Sequence, residues 1–229
     1  MAGAAAGTAG EDAGVRRRAE FRYGAVFLLM LALLVFVIVA PAGDTARAGV
    51  FALEGAALLV VVGTSRERRA VRNARVRALA VVAVLVVAGV AVGAFPLPVV
   101  LATNSILTLG ILVTLVGGLL RLVRLHGVTV QVVAGALTIY VLTGLIFAWV
   151  VSLVANIGDA AYFAQGGNAS QGERVYYSFT VLTTTGFGDL TAVTPVGHAL
   201  AVVEMLVGQL YLVTVIGVIV GDLAGRSRA

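Results

Sequence analysis

The chain has no cysteine, so neither a disulfide framework nor a thiolate metal site is available to it, and its redox compartment cannot be read from thiols. Histidine is nearly absent. The two present, His126 and His198, are isolated at helix ends, which excludes a histidine metal cluster or catalytic constellation. Charge is also scarce: Asp, Glu, Lys and Arg make up 12% of the chain, against roughly 25% in a soluble domain. All sixteen basic residues are arginine, which we read as a compositional habit. What remains is apolar, 60% of 229 residues, with a mean hydropathy of +1.06. This is the composition of a polytopic membrane protein.

Length and polar interruptions divide the apolar sequence into six expected spans: Tyr23 to Ala40, Ala48 to Gly63, Ala78 to Phe95, Leu97 to Leu120, Val128 to Ala155 and Pro195 to Leu223. Pro96 and Pro98 break the chain between the third and fourth, giving a tight turn. The Ala/Gly-rich start of the chain is expected to be disordered. Arg16 to Arg18 follow that small-residue tract and directly precede an apolar run, so the first span is expected to be retained rather than cleaved.

Arginine orients the spans. With a cytoplasmic N-terminus, fourteen arginines fall inside, and only Arg47 and Arg174 outside. Six spans then return the C-terminus to the cytoplasm, in an integral protein of the cell membrane. The cluster Arg66 to Arg77 is foremost a topology determinant, and anionic lipid is a candidate partner for it. No nucleic-acid partner is expected.

This orientation places Asn156 to Thr194 outside. Within it, Arg174 to Leu182 is a short apolar stretch headed by Tyr176 and Tyr177, about half the length that crosses a bilayer, and it suits a re-entrant helix. Thr183-Thr184-Thr185-Gly186-Phe187-Gly188-Asp189 follows. Two glycines at alternate positions can take left-handed backbone and aim successive carbonyls at one axis, with Phe187 bracing the loop. Here the chain resembles the potassium channel family: Tyr176-Tyr177-Ser178-Phe179-Thr180-Val181-Leu182 followed by Thr-Thr-Thr-Gly-Phe-Gly-Asp is similar to that family's aromatic-aromatic-Ser pore helix and Thr-Val-Gly-Tyr-Gly-Asp filter. Thr185 stands in place of Val, and Phe187 in place of Tyr.

The resemblance implies an all-α membrane fold of six helices, with a pore helix and filter loop between the fifth and sixth. Its divisions are a tail over 1–22, a four-helix scaffold over 23–127, a pore domain over 128–225 and a tail over 226–229. It implies K⁺ sites at the carbonyls of Thr184, Thr185, Gly186 and Phe187, with Gly188 completing the filter, and a homotetramer conducting K⁺ passively, with no enzymatic step and no cofactor beyond the permeant ion. Tyr176, Tyr177, Thr180, Asp189 and Glu204 are the expected filter supports. Overlay on simple two-helix members matches Gly208 to the inner-helix hinge and puts Gln209, Leu212, Ile216 and Val220 on the conduction path. Glu204 falls on the back, toward Thr180 or Thr183 as hydrogen-bond partners, and Tyr176 is the candidate partner for Asp189. The alternatives are a weakly selective cation channel and a non-conducting scaffold or transporter subunit that keeps a pore loop.

Six spans also resemble voltage-gated channels, but Leu97 to Leu120 holds no arginine, and a voltage sensor needs several within the membrane. Arg121 and Arg124 lie at its cytoplasmic end. Glu54, near the middle of the second span, reads either as a sensor's relic counter-charge or as a protonated or water-lined structural residue. Asn168-Ala169-Ser170 has the form of a glycosylation acceptor, read as a chance match.

Overall fold

The computed structural model describes residues 24–40, 43–63, 69–157 and 161–226. Seven helices make up this part: α1 (Gly24–Val39), α2 (Asp44–Gly63), α3 (Arg69–Ala91), α4 (Leu97–His126), α5 (Val130–Ile157), α6 (Gln171–Leu182) and α7 (Pro195–Arg226). Chains of this composition have little choice, because an apolar solvent offers nothing to backbone N–H and C=O groups, which must then pair within each segment. α4, α5 and α7 contain stretches long and apolar enough to cross a membrane, at Leu97–Leu120, Val130–Ile157 and Pro195–Val218. α1 and the Ala80–Ala91 part of α3 are apolar but shorter.

The helix boundaries depart from the expected spans where polar residues continue a helix. α2 begins at Asp44, whose carboxylate sits in the first turn and accepts a 2.6 Å bond from Arg47. α4 opens on Pro96 with Pro98 in its first turn, as expected where proline's fixed φ suits a helix start. It runs on through Arg121 and Arg124 to His126 and stops at Gly127, whose N–H still reaches the Val123 carbonyl and whose φ of 66° turns the chain out of the helix. α3 takes in Arg69 to Arg77, while Arg66 and Arg68 and the side chains of the whole cluster lie outside the described residues.

One apolar core ties the two halves of the chain together. Met30 and Leu33 of α1, Ala57 of α2, Ile111 of α4, Leu142, Leu145 and Ala148 of α5 and Val175 of α6 all belong to it and are fully buried. α5 therefore shares this core with α1, α2 and α4 and also carries α6. A glycine permits the closest of these approaches: a Cβ at Gly144 would stand 2.7 Å from the Phe179 ring, so α6 settles directly onto the α5 backbone. Ser178 adds a 2.8 Å bond to the Gly144 carbonyl at the same point.

Candidate functional site

α6 starts where its sequence provides a cap. Ser170 accepts from the Glu173 N–H, and the Glu173 carboxylate accepts from the Ser170 N–H at 2.6 Å, closing a capping box. Those bonds hold the Glu173 carboxyl below its ordinary range. The helix is one turn longer than the Arg174 start expected from the apolar pattern, and the Ser-x-x-Glu spacing was the signal that would have placed it. Arg174 is buried and clamps the preceding loop, donating to the carbonyls of Asn168 at 2.7 Å and Ala169 at 2.9 Å. Asn168 donates in turn to the Ala155 carbonyl and accepts from the Tyr162 N–H, so its amide serves the loop itself.

At its other end α6 runs into Thr183–Asp189, where φ is positive at Thr184 (57°), Gly186 (54°) and Gly188 (81°) and not at Thr185 or Phe187. Backbone that alternates between left- and right-handed regions turns its N–H groups to one side and its carbonyls to the other. The N–H side is accounted for. Those of Thr183, Thr184, Thr185 and Gly186 donate to the carbonyls of Phe179, Val181 and Thr180, the last accepting two, at 2.9 and 3.1 Å. Among the described residues nothing donates to the carbonyls of Thr184, Thr185, Gly186 or Phe187. Four acceptors in a row thus stand free on one face of the loop.

Thr184 is the unexpected member of this alternation. The glycines were legible as left-handed positions; a β-branched residue there is strained, by about 1–3 kcal/mol. Its hydroxyl is held from below, where Gln209 Nε2 of α7 donates to Thr184 Oγ1 at 2.9 Å. Phe187 stacks on Tyr176 with ring centroids 6.3 Å apart and planes 3° from parallel. Tyr176 also hydrogen-bonds the Asp189 carboxylate, which raises the Tyr176 pKa, so the expected Tyr176–Asp189 pairing is present. Tyr177 is buried on the opposite side, edge-on to Phe163 at 5.1 Å and Tyr162 at 6.4 Å. An isolated bridge between Phe163 and Ala192 fastens this aromatic cluster to the chain leaving the loop.

Glu204 requires a correction. It is fully buried behind α6, as the helical arc from Gln209 required, but its partner is Ser178 rather than Thr180 or Thr183. Thr180 Oγ1 donates to its own helix at the Tyr177 carbonyl, and Thr183 Oγ1 donates to Phe179 and lies 2.8 Å from Thr185 Oγ1. Both hydroxyls are therefore engaged one turn back, as hydroxyls inside helices commonly are. Ser178 has one hydroxyl proton facing two acceptors, Gly144 O and Glu204 Oε1. All contacts are satisfied when the Glu204 carboxyl carries a proton and donates it. Glu54 shows the same arithmetic: Thr108 Oγ1 lies 2.8 Å from both Glu54 Oε1 and the Asn104 carbonyl.

Gly208 is buried against the end of α6, where a Cβ would collide with the Leu182 carbonyl oxygen. Leu212 is half-buried and Ile216 exposed, while the Val220 side chain lies outside the described residues. Tyr140 and Tyr211, unmarked in the sequence reading, brace this junction: Tyr211 donates to the Ala136 carbonyl at 2.6 Å, and the two rings lie 5.7 Å apart. Among the described residues no cluster of His, Cys, Asp or Glu could hold a metal ion.

α6 thus leads into a loop with four free carbonyls, beside the long apolar helix α7. Residues 135–224 match a family model described as Ion channel. Over this segment the chain is similar to the ion channel family. The match starts within α5 and ends within α7, enclosing the α6 helix, the 183–189 loop and Gly208. No curated protein and no solved structure matches the chain. The match points to a non-enzymatic channel protein of the potassium-channel type.

Proposed function

We propose that this chain is one subunit of a homotetrameric potassium channel, conducting K⁺ passively through a filter built from Thr184, Thr185, Gly186, Phe187 and Gly188. The observation that carries this is the alternation of backbone sign at 184, 186 and 188, with N–H groups spent on the Thr180 and Val181 carbonyls and the opposite row of carbonyls left unbonded. One chain supplies one such row. A ring able to replace the hydration shell of K⁺ needs several, related by rotation about the pore. The Thr184 hydroxyl forms the innermost site, Gln209, Leu212, Ile216 and Val220 line the path below it, and both termini are cytoplasmic in a six-span subunit of the cell membrane.

Purified protein in liposomes, loaded with K⁺ or Na⁺, tests the reading through the ratio of the two fluxes. Gly186→Ala places a Cβ on left-handed backbone at φ 54° and should abolish or de-select K⁺ flux while membrane insertion persists. Retention of parental K⁺ over Na⁺ flux in that variant would rule the filter assignment out. A weakly selective cation channel is the second reading, favoured by Phe187, which is braced by ring stacking on Tyr176 and has no hydroxyl to fix it further.

A further inference from the structure

At one end of the bundle, the last turn of α1, the first turns of α2 and α4 and the start of α6 enclose a cavity of about 220 Å³ that the conduction pathway does not use. Arg47, in its wall, is partly exposed and held by Asp44. Phe51, Asn104 and Trp149 line it about two turns in from the ends of their helices. One turn further along the same faces, Glu54 follows Val50 on α2 and Thr108 follows Asn104 on α4, and both are fully buried. Thr108 Oγ1 lies 2.8 Å from both Glu54 Oε1 and the Asn104 carbonyl, and the Trp149 indole N–H hydrogen-bonds the Glu54 carboxyl from α5. Among the described residues no charged side chain acts on Glu54 from any neighbouring helix. The charged groups in the cavity wall are Arg47, paired with Asp44, and Arg174, which donates to the Asn168 and Ala169 carbonyls beside Glu173.

Thr108 has one hydroxyl proton for two acceptors. With Glu54 protonated, Thr108 donates to the Asn104 carbonyl and the acid donates to Thr108 Oγ1. With Glu54 ionised, Thr108 turns its proton to the carboxylate, which then accepts from Thr108 and Trp149. Both states are hydrogen-bonded, so the carboxyl can hold or release a proton without parting the three helices. The proton also has a route. Asn104 Oδ1, in the wall, is buried with no partner, Gln171 and Arg174 add polar groups, and a space of this size holds several water molecules. We propose that Glu54 is a proton-binding site served from the outer solution by water in this cavity. Release passes the proton from the carboxyl to cavity water and leaves a carboxylate accepting from Thr108 and Trp149; uptake reverses both changes. Trp149 shares its core with Val175 of α6, so the charge appears where α2 and α4 meet the helix that carries α6. The outer sidedness rests on the six-span topology proposed above, whereas the proton site does not depend on conduction.

Trp149 is the single tryptophan of the chain, so the intrinsic emission of the full chain in a neutral detergent reports on this carboxyl directly. Excited beyond the tyrosine band and titrated from about pH 4 to pH 9, below tyrosine ionisation, it should show a one-proton step. Glu54→Gln, which keeps the shape of the side chain, should lose that step. Thr108→Val should displace its midpoint by about one pH unit, a tenfold change in proton affinity. The inlet is tested separately, in a chain with no native cysteine. In intact cells, Val50→Cys should react with an impermeant methanethiosulfonate added outside at least about tenfold faster than Ala57→Cys in the dry core, since thiolate formation needs water. A flat parental titration, a step that persists in Glu54→Gln, or equal labelling at positions 50 and 57 overturns the proposal. If Glu54→Gln does not fold, the Thr108→Val midpoint decides, and an unmoved value counts against the site. None of these measurements involves K⁺ flux, so their failure leaves the potassium reading intact.

Discussion

Gln209 and Thr184 are joined by a 2.9 Å hydrogen bond from the inner helix to the innermost hydroxyl of the candidate filter. The bond is made to the one non-glycine filter residue held at positive φ, so it supports the most strained position in the loop. Gln209→Leu removes the donor while keeping much of the bulk. A net contribution of about 1 kcal/mol corresponds to roughly a fivefold loss in the K⁺ to Na⁺ flux ratio, read in liposomes. An unchanged ratio would show that Thr184 needs no support from below.

Ser178→Ala should destabilise the protein by roughly 1–3 kcal/mol, since it strands a buried Glu204 carboxyl whose second oxygen already lacks a partner. Glu204→Gln should be far milder, because an amide N–H can take the place of the acid proton facing Ser178. Thermal midpoints of the two variants measure the difference. Equal losses would mean that a charged Glu204 is needed rather than a hydrogen-bond donor.

Gly208→Ala distinguishes a bending point from a packing contact. Overpacking against the Leu182 carbonyl costs about 1–3 kcal/mol in any gating state, so the thermal midpoint should fall along with K⁺ flux. A variant with parental stability and lowered flux points instead to a hinge that acts only on opening.

The α6 cap supplies a pH dependence. Ser170→Ala should cost about 1 kcal/mol of stability at neutral pH. Glu173 has a depressed folded pKa, so its contribution is complete above the ordinary glutamate pKa and is lost as pH falls through the folded value. Unfolding of parent and Glu173→Gln, compared across acid pH, should therefore show a steeper acid loss for the parent. Parallel curves would remove the carboxylate from the argument.

Voltage should matter little. With no arginine from Leu97 to Leu120, the open probability should lack the steep dependence that several gating charges per subunit produce, each worth about 2.3 kcal/mol per 100 mV. Planar-bilayer recordings with an equivalent gating charge above about four per tetramer contradict this.

Local chemistry made much of this molecule readable in one dimension. Long apolar runs imposed helices, proline at 96 set the start of α4, and glycines at alternate positions marked left-handed backbone at 186 and 188. A fixed advance of 100° per residue on a helix separated Glu204 from Gln209 before any contact was known. The Tyr176–Asp189 pair was also foreseen, but through resemblance rather than through spacing.

Tertiary structure alone decided which groups meet across segments. Glu204 could have reached several hydroxyls on α6, and Ser178 was selected because Gly144 lets that face of α6 sink onto α5. Thr184 is left-handed because four successive N–H groups, 183 to 186, must return to the last carbonyls of α6, a constraint no residue preference of threonine encodes. The outer cavity draws its lining from five helices, so the grouping of Asn104, Trp149 and Arg174 around it is invisible along the chain. Periodicity and backbone preference act over one helical turn, whereas satisfaction of buried polar groups depends on neighbours far away in sequence, and that is where reading the sequence by itself stops.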